Sequence, residues 1–204
     1  MFIEWEGLIK MLDTHGRKYI RPLLKYTASI FLKLNMTPNN ITALGFLIGL
    51  LPFVFIYAGK PLIAVTLLWV SGFFDAVDGE MARISGNSTP WGTLIDVTFD
   101  RLVEIGVILA IAMKQPQCRL QLLFLTAAII LSMSIFLTVG ALSQNKGSKS
   151  FYYQAGVAER TEGFILFTLM ILLPRHLALI TNIFSILIVI TAFQRMVEAR
   201  GILK

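Results

Sequence analysis

Three stretches of the chain run without a charged residue: Ile41–Gly59, Leu120–Asn145 and Leu177–Gln194. Each is close to the ~20 residues that carry an α-helix across the hydrocarbon core of a bilayer. Three more apolar stretches have polar residues gathered at one end: Pro61 to about Arg83, Gly92 to about Met113, and about Ala155 to Pro174. The pattern predicts an all-α polytopic membrane protein with six spanning helices of ~22 residues each. Ahead of them, Tyr19, Ile20, Leu23, Leu24, Ile30, Phe31 and Leu34 recur at roughly helical spacing, with basic residues between them. The segment His15–Leu34 therefore reads as an amphipathic juxtamembrane helix on the inner membrane surface, with Pro22 as its expected start. A solvated basic arm is the alternative. Thr37-Pro38-Asn39-Asn40 then breaks the chain, with Thr37 as N-cap and Pro38 at the first position of the first span. No internal repeat or second-domain boundary stands out. Residues 1–204 read as one membrane domain: a cytoplasmic or interfacial segment over 1–38, then a six-helix bundle over 39–200.

Composition sharpens this picture. Apolar residues make up 56% of the chain and charged residues 15%, against about 25% charged in a soluble domain; mean hydropathy is +0.74. Too few charges exist to cover a soluble surface, which excludes a cytosolic globular enzyme. Abundant aliphatic residues exclude disorder, and the single cysteine, Cys118, excludes a disulfide scaffold. A net charge of +6 would suit nucleic acid, but beside this apolar fraction it points to an anionic inner leaflet, and no nucleic-acid partner is expected. With the N-terminus inside, cytoplasmic segments carry fourteen Lys and Arg and outer loops four, namely Lys60, Lys114, Arg119 and Arg175. That bias places both termini in the cytoplasm of a cell whose inner membrane holds the protein. No apolar run occurs in the first forty residues, so cleavage of a signal peptide is not expected.

The acids carry the chemistry. Of twelve acidic residues, six fall between positions 75 and 104: Asp75, Asp78, Glu80, Asp96, Asp100 and Glu104. Carboxylates in or near spanning helices cost several kcal/mol unless paired, hydrated or metal-bound. Asp75 and Asp78 are i and i+3 near the end of the second span; Asp96 and Asp100 are i and i+4 near the start of the third. Alternation of spans puts both pairs on the cytoplasmic side, where four carboxylates can converge. All-oxygen ligands suit Mg²⁺ or Mn²⁺, and four Asp can hold two such ions, the arrangement that clamps attacking and leaving oxygens in phosphoryl transfer. No Cys/His cluster supports zinc, and His15 and His176 read as surface histidines. Gly79 and Gly92 would let a ligand approach the backbone, with close helix packing the alternative. Gly45 and Gly49, a GxxxG pair, read as packing residues. Arg83 reads as a bidentate phosphate ligand, with pairing to Glu80 at i, i+3 the alternative.

Together these residues form Asp75-x2-Asp78-Gly79-x2-Ala82-Arg83-x8-Gly92-x3-Asp96-x3-Asp100. This resembles the signature of the CDP-alcohol phosphotransferase family of integral membrane enzymes at all eight specified positions. Thr37-Pro38-Asn39-x-x-Thr42 also resembles the start of that family's first helix. The resemblance implies transfer of a substituted phosphate, such as phosphatidyl from CDP-diacylglycerol, to a hydroxyl acceptor with release of CMP. It implies two divalent ions held by Asp75, Asp78, Asp96 and Asp100, with Asp100 also the general base. It places Gly79, Ala82 and Arg83 along the CDP moiety with Gly92 near it, and it implies a homodimer.

A second polar cluster, Lys146–Glu162, is expected on the cytoplasmic side and enters the fifth span. Lys146, Lys149, Glu159, Arg160 and Glu162 are candidates for the polar-alcohol acceptor site, with a solvated loop and helix-starting acids as the alternative. An Arg at this position resembles members that take phosphorylated acceptors such as inositol phosphate. Glycerol phosphate is a second candidate. Two other functions compete: a divalent-cation or proton-coupled transporter using the Asp cluster, and a non-catalytic scaffold. A transporter requires polar residues through the membrane depth, whereas here they cluster at one face.

Overall fold

A computed structural model describes residues 12–86, 88–143 and 160–203. Seven α-helices account for most of them: α1 Leu12–Lys33, α2 Pro38–Tyr57, α3 Pro61–Ser85, α4 Pro90–Lys114, α5 Arg119–Leu142, α6 Arg160–Leu172 and α7 Leu177–Ile202. Among the described residues there is no strand.

Local chemistry sets the boundaries. Pro38, Pro61 and Pro90 each sit in the first turn of a helix, where a missing N–H costs nothing. Thr37 caps α2 by accepting from the Asn40 amide at 3.3 Å. Thr89 caps α4 by accepting from the Gly92 amide at 3.0 Å. Gly86 closes α3 with φ +67°, a left-handed conformation that glycine adopts without strain. Thr89→Ala is expected to lower stability by about 1 kcal/mol, read as a lower thermal midpoint in detergent.

Helix α1 corrects one expectation. Pro22 lies inside it, not at its start. Proline removes a single i→i−4 bond, and on an exposed position that carbonyl can take water instead. The apolar positions of α1 divide between two faces. Leu24 and Ala28 are buried with Ile41 of α2 and Val77 and Met81 of α3, and Phe31 and Leu32 pack alongside. Ile20, Leu23, Tyr26, Ile30 and Leu34 face outward.

The helices divide into two compact units, Thr14–Pro116 and a second that takes in Gln117–Lys204. In the first, α2 packs on both α3 and α4. Small residues allow the close approach. A Cβ on Gly49 would stand 2.5 Å from Val103 Cγ2 and 2.6 Å from Ser71 Oγ, and one on Gly45 would stand 3.2 Å from Phe74 Cβ. Ser71 Oγ donates to the Gly45 carbonyl at 2.8 Å, and Phe46 stacks on Phe99 with centroids 4.1 Å apart. The GxxxG pair is thus a packing device, as its spacing implied. In the second unit α7 packs on α5 and α6.

Among the described residues, four helical segments are long and apolar enough to cross a membrane: Pro38–Tyr57, Pro61–Ser85, Pro116–Leu142 and Pro174–Ile202. No more than 33% of each apolar window is buried by protein, and residues such as Leu47, Val54, Leu62, Leu123 and Ile186 face outward. Surfaces of this kind need lipid as their solvent, so the chain is an all-α membrane protein. Helix α4 has the length, at 25 residues, but Asp96, Asp100, Arg101 and Glu104 occupy its first half. Of α6, 13 residues are described.

Candidate active site

Within the first unit α2 and α4 run the same way and α3 runs back between their ends. At one end Lys114 of α4 donates to the Ile56 carbonyl of α2 at 3.0 Å. At the other, a Cβ on Gly92 would meet Asn39 Oδ1 and Thr89 Oγ1, each at 3.1 Å. The C-terminal half of α3 reaches this second end, and the acids lie there. One carboxylate oxygen from each of Asp75, Asp78 and Asp96 falls within 4.8 Å of the others. Asp78 is buried; Asp75 and Asp96 are half-buried.

The structure therefore gathers three of the four aspartates named by the motif. Asp100 is not in that group. It is half-buried one turn beyond Asp96 on α4, about 6 Å further along the axis. Gly79 follows Asp78, and a Cβ there would lie 3.5 Å from Arg83 Nη2, so the Arg83 guanidinium folds back over Gly79. Ala82 is half-buried on the same helix. Gly92 leaves room for Asn39, which joins the Thr-Pro-Asn start of α2 to the start of α4. Arg83 pairs with Glu80, the alternative weighed from the spacing. Arg101 pairs with Glu104 at 2.6 Å.

The acceptor cluster is only partly visible. Lys146, Lys149 and Glu159 lie outside the described residues. Arg160 opens α6 with its guanidinium 6.0 Å from the Phe164 ring centre, and Glu162 sits in the first turn. One residue escaped the sequence reading except as a charge: Arg195 of α7 is buried, donates to Ser132 Oγ of α5 at 3.1 Å, and lies 4.9 Å over the Phe136 ring. Its one available signal was a basic residue following directly on a long charge-free run. Ser132→Ala is expected to cost about 1 kcal/mol of stability, read by thermal unfolding, since a buried donor loses an acceptor.

The donor set fits a hard divalent cation. Two oxygens bound to one Mg²⁺ at 2.0–2.1 Å stand at most about 4 Å apart, so a group within 4.8 Å closes on an ion with small side-chain shifts. Carboxylates this close repel by about 4 kcal/mol per pair at an effective dielectric of about 20, a cost that a cation removes. No histidine or cysteine joins the group among the described residues, which disfavours zinc.

Comparison with known proteins identifies the family and the fold. The profile of the family described as CDP-alcohol phosphatidyltransferase matches residues 35–194. The Escherichia coli K12 protein named Inner membrane protein YnjF is 35% identical over 196 residues, covering 91% of this chain and 93% of that protein. Phosphatidylinositol phosphate synthase of Corynebacterium glutamicum is 28% identical over 163 residues, 76% of this chain and 71% of the relative. Among solved structures, Mycobacterium tuberculosis phosphatidylinositol phosphate synthase with CDP-DAG bound superposes with a TM-score of 0.67 at 23% identity, covering 87% of this chain and 94% of that one. The same enzyme in complex with manganese and citrate gives 0.67 at 22% identity, covering 87% and 88%. At these identities the structural likeness establishes the fold.

Proposed function

The chain belongs to the CDP-alcohol phosphatidyltransferase family, and from that premise we propose that it moves a phosphatidyl group from CDP-diacylglycerol to a polar alcohol and releases CMP. It is thus a transferase of substituted phosphate groups in phospholipid synthesis. The observation that carries the proposal is the meeting of Asp75, Asp78 and Asp96, three positions of the motif, at one end of a helical unit.

In this reading Asp75, Asp78 and Asp96 hold Mg²⁺ or Mn²⁺, and Asp100 completes a two-ion set from the next turn of α4. When bound, the ions neutralise charge on the diphosphate and on the departing CMP. Asp100 takes the proton of the acceptor hydroxyl as that oxygen attacks the β-phosphorus. Arg83 lies over Gly79 and so borders the path of the CDP diphosphate, with Ala82 and Gly92 beside it. Transfer is direct, with no phospho-enzyme. Inositol phosphate is the favoured acceptor and glycerol phosphate the next. The Corynebacterium relative's name supports the first, as does an Arg at the start of α6. Lys146, Lys149, Glu159, Arg160 and Glu162 are the acceptor-site candidates. The Lys/Arg bias places the site and both termini on the cytoplasmic side of the inner membrane, across six spans of one domain. A homodimer follows from the family resemblance, and cross-linking in native membranes reads it.

Among the described residues of the unit that holds the acids, the transporter reading finds no polar path. Between the acid end and the Lys114 end, Ala64, Leu68, Val107, Ile108 and Ile111 are buried, an apolar filling that an ion could not cross.

The test is purified protein with CDP-diacylglycerol, Mn²⁺ and a panel of inositol phosphate, glycerol phosphate, serine and inositol. Metal-dependent CMP release with a phosphorylated polyol, and the matching lipid by mass spectrometry, is the expected result. No CMP release with any acceptor contradicts the proposal.

A further inference from the structure

Glu80 has no place in the motif, and its position sets it apart from the metal-binding acids. It lies two residues after Asp78, about 200° around the helix at 100° per residue. Its side chain is almost wholly buried, at 3% exposure. A buried carboxylate is costly unless paired and hydrogen-bonded, and Glu80 has two cationic partners. Oε2 pairs with Arg83 Nη1 on the same helix, and Oε1 lies 3.8 Å from Arg21 Nε on α1. Both arginine side chains are more than half exposed, at 58% for Arg21 and 54% for Arg83. One acid beneath the surface thus holds two guanidiniums at it. Arg83 in turn leans over Gly79, next to Asp78.

We propose that Glu80 is a positioning residue that gathers Arg21 and Arg83 into a two-guanidinium clamp for the diphosphate of the CDP-linked donor, with Arg21 a donor-binding residue contributed by α1. The inference rests on the function proposed above and deepens it. Arg83 donates to the buried carboxylate, Arg21 is held by charge at 3.8 Å, and each keeps further N–H donors for an outer anion. Three charges sum to +1 at the clamp, a suitable complement to a diphosphate, and Arg83 links it to the acid end by leaning over Gly79. Helix α1 also presents an outward apolar row of Ile20, Leu23 and Ile30, a surface that suits the acyl chains of a lipid donor.

Two readouts on the full-length protein in detergent micelles test this: affinity for CDP with Mn²⁺ present, by calorimetric titration, and steady-state CMP release from CDP-diacylglycerol. Arg21→Ala and Glu80→Gln are expected to weaken CDP binding and raise KM for the donor about tenfold. kcat should stay within about threefold of the wild type, and Mn²⁺ binding should be unchanged. Arg21→Lys should fall between wild type and Arg21→Ala, because it keeps the charge and loses the fork. Arg21 is exposed, so its variants fold even where Glu80→Gln does not. Unchanged CDP affinity and KM in Arg21→Ala overturn the inference, even where the thermal midpoint falls, because that is the signature of a purely structural tie. A wild-type protein that neither binds CDP nor releases CMP overturns the functional proposal itself, an outcome distinct from a wild type that does both with Arg21→Ala its equal.

Discussion

Asp96→Asn and Asp100→Asn are each expected to abolish CMP release while leaving the folded protein intact. Asparagine matches aspartate in size, so helix packing is undisturbed, and what disappears is charge. At position 96 the loss falls on the group with Asp75 and Asp78, whose oxygens lie within 4.8 Å. Removing an outer-shell partner of a ligand costs about 10–100-fold in metal affinity or activity, and removing a ligand itself costs more. At position 100 the expected loss is about 10²–10⁴-fold, the contribution of the general base proposed there. Turnover measured beside circular dichroism and thermal midpoint checks both parts. Full activity in either variant refutes the role given to that residue.

The second large effect is structural. Gly49→Ala is expected to destabilise the first unit by about 1–3 kcal/mol, the range for forcing extra atoms into a packed core. Its Cβ would stand 2.5 Å from Val103 Cγ2 and 2.6 Å from Ser71 Oγ. Ser71 must then move, and its bond to the Gly45 carbonyl is put at risk. Gly49→Leu should fail to fold. Gly45→Ala is milder, because its nearest neighbour would be Phe74 Cβ at 3.2 Å. The consequence reaches the site, because Ser71 belongs to the helix of Asp75 and Asp78 and Val103 to the helix of Asp96. Val103→Ala should restore much of the loss in Gly49→Ala by making room at the point of collision. A double-mutant cycle in thermal unfolding reads that coupling, and an uncoupled pair contradicts the packing account.

The acids were legible in the sequence because charge in an apolar helix stands out. Spacings of three and four residues put Asp75 with Asp78 and Asp96 with Asp100 on shared faces, and the structure brings the first pair to Asp96. The start of α2 at Pro38 was legible too, because capping is a local matter of Thr37 and the amides that follow it. Contacts between helices were not. In a soluble protein a buried residue announces itself by being apolar, but lipid-facing residues are apolar as well. Ile56 is buried and Val54 is exposed, and nothing in their chemistry separates them. The true start of α1 was hidden because a proline is favoured in a helix's first turn, so Pro22 read as the beginning, whereas the structure carries it inside the helix. Glu80 looked like a simple i, i+3 partner of Arg83. Its second partner, Arg21, stands 59 positions earlier in the sequence and is brought to it by the packing of Leu24 and Ala28 against Val77 and Met81.

Binding of Mn²⁺ to the purified, metal-stripped protein, followed by electron paramagnetic resonance, tests the central claim most directly. Two ions per chain in the wild type, with loss of binding in Asp75→Asn, Asp78→Asn and Asp96→Asn, is the predicted result. A wild-type protein that takes up no Mn²⁺ at millimolar concentration, or aspartate variants that bind as many ions as tightly as it does, would contradict it.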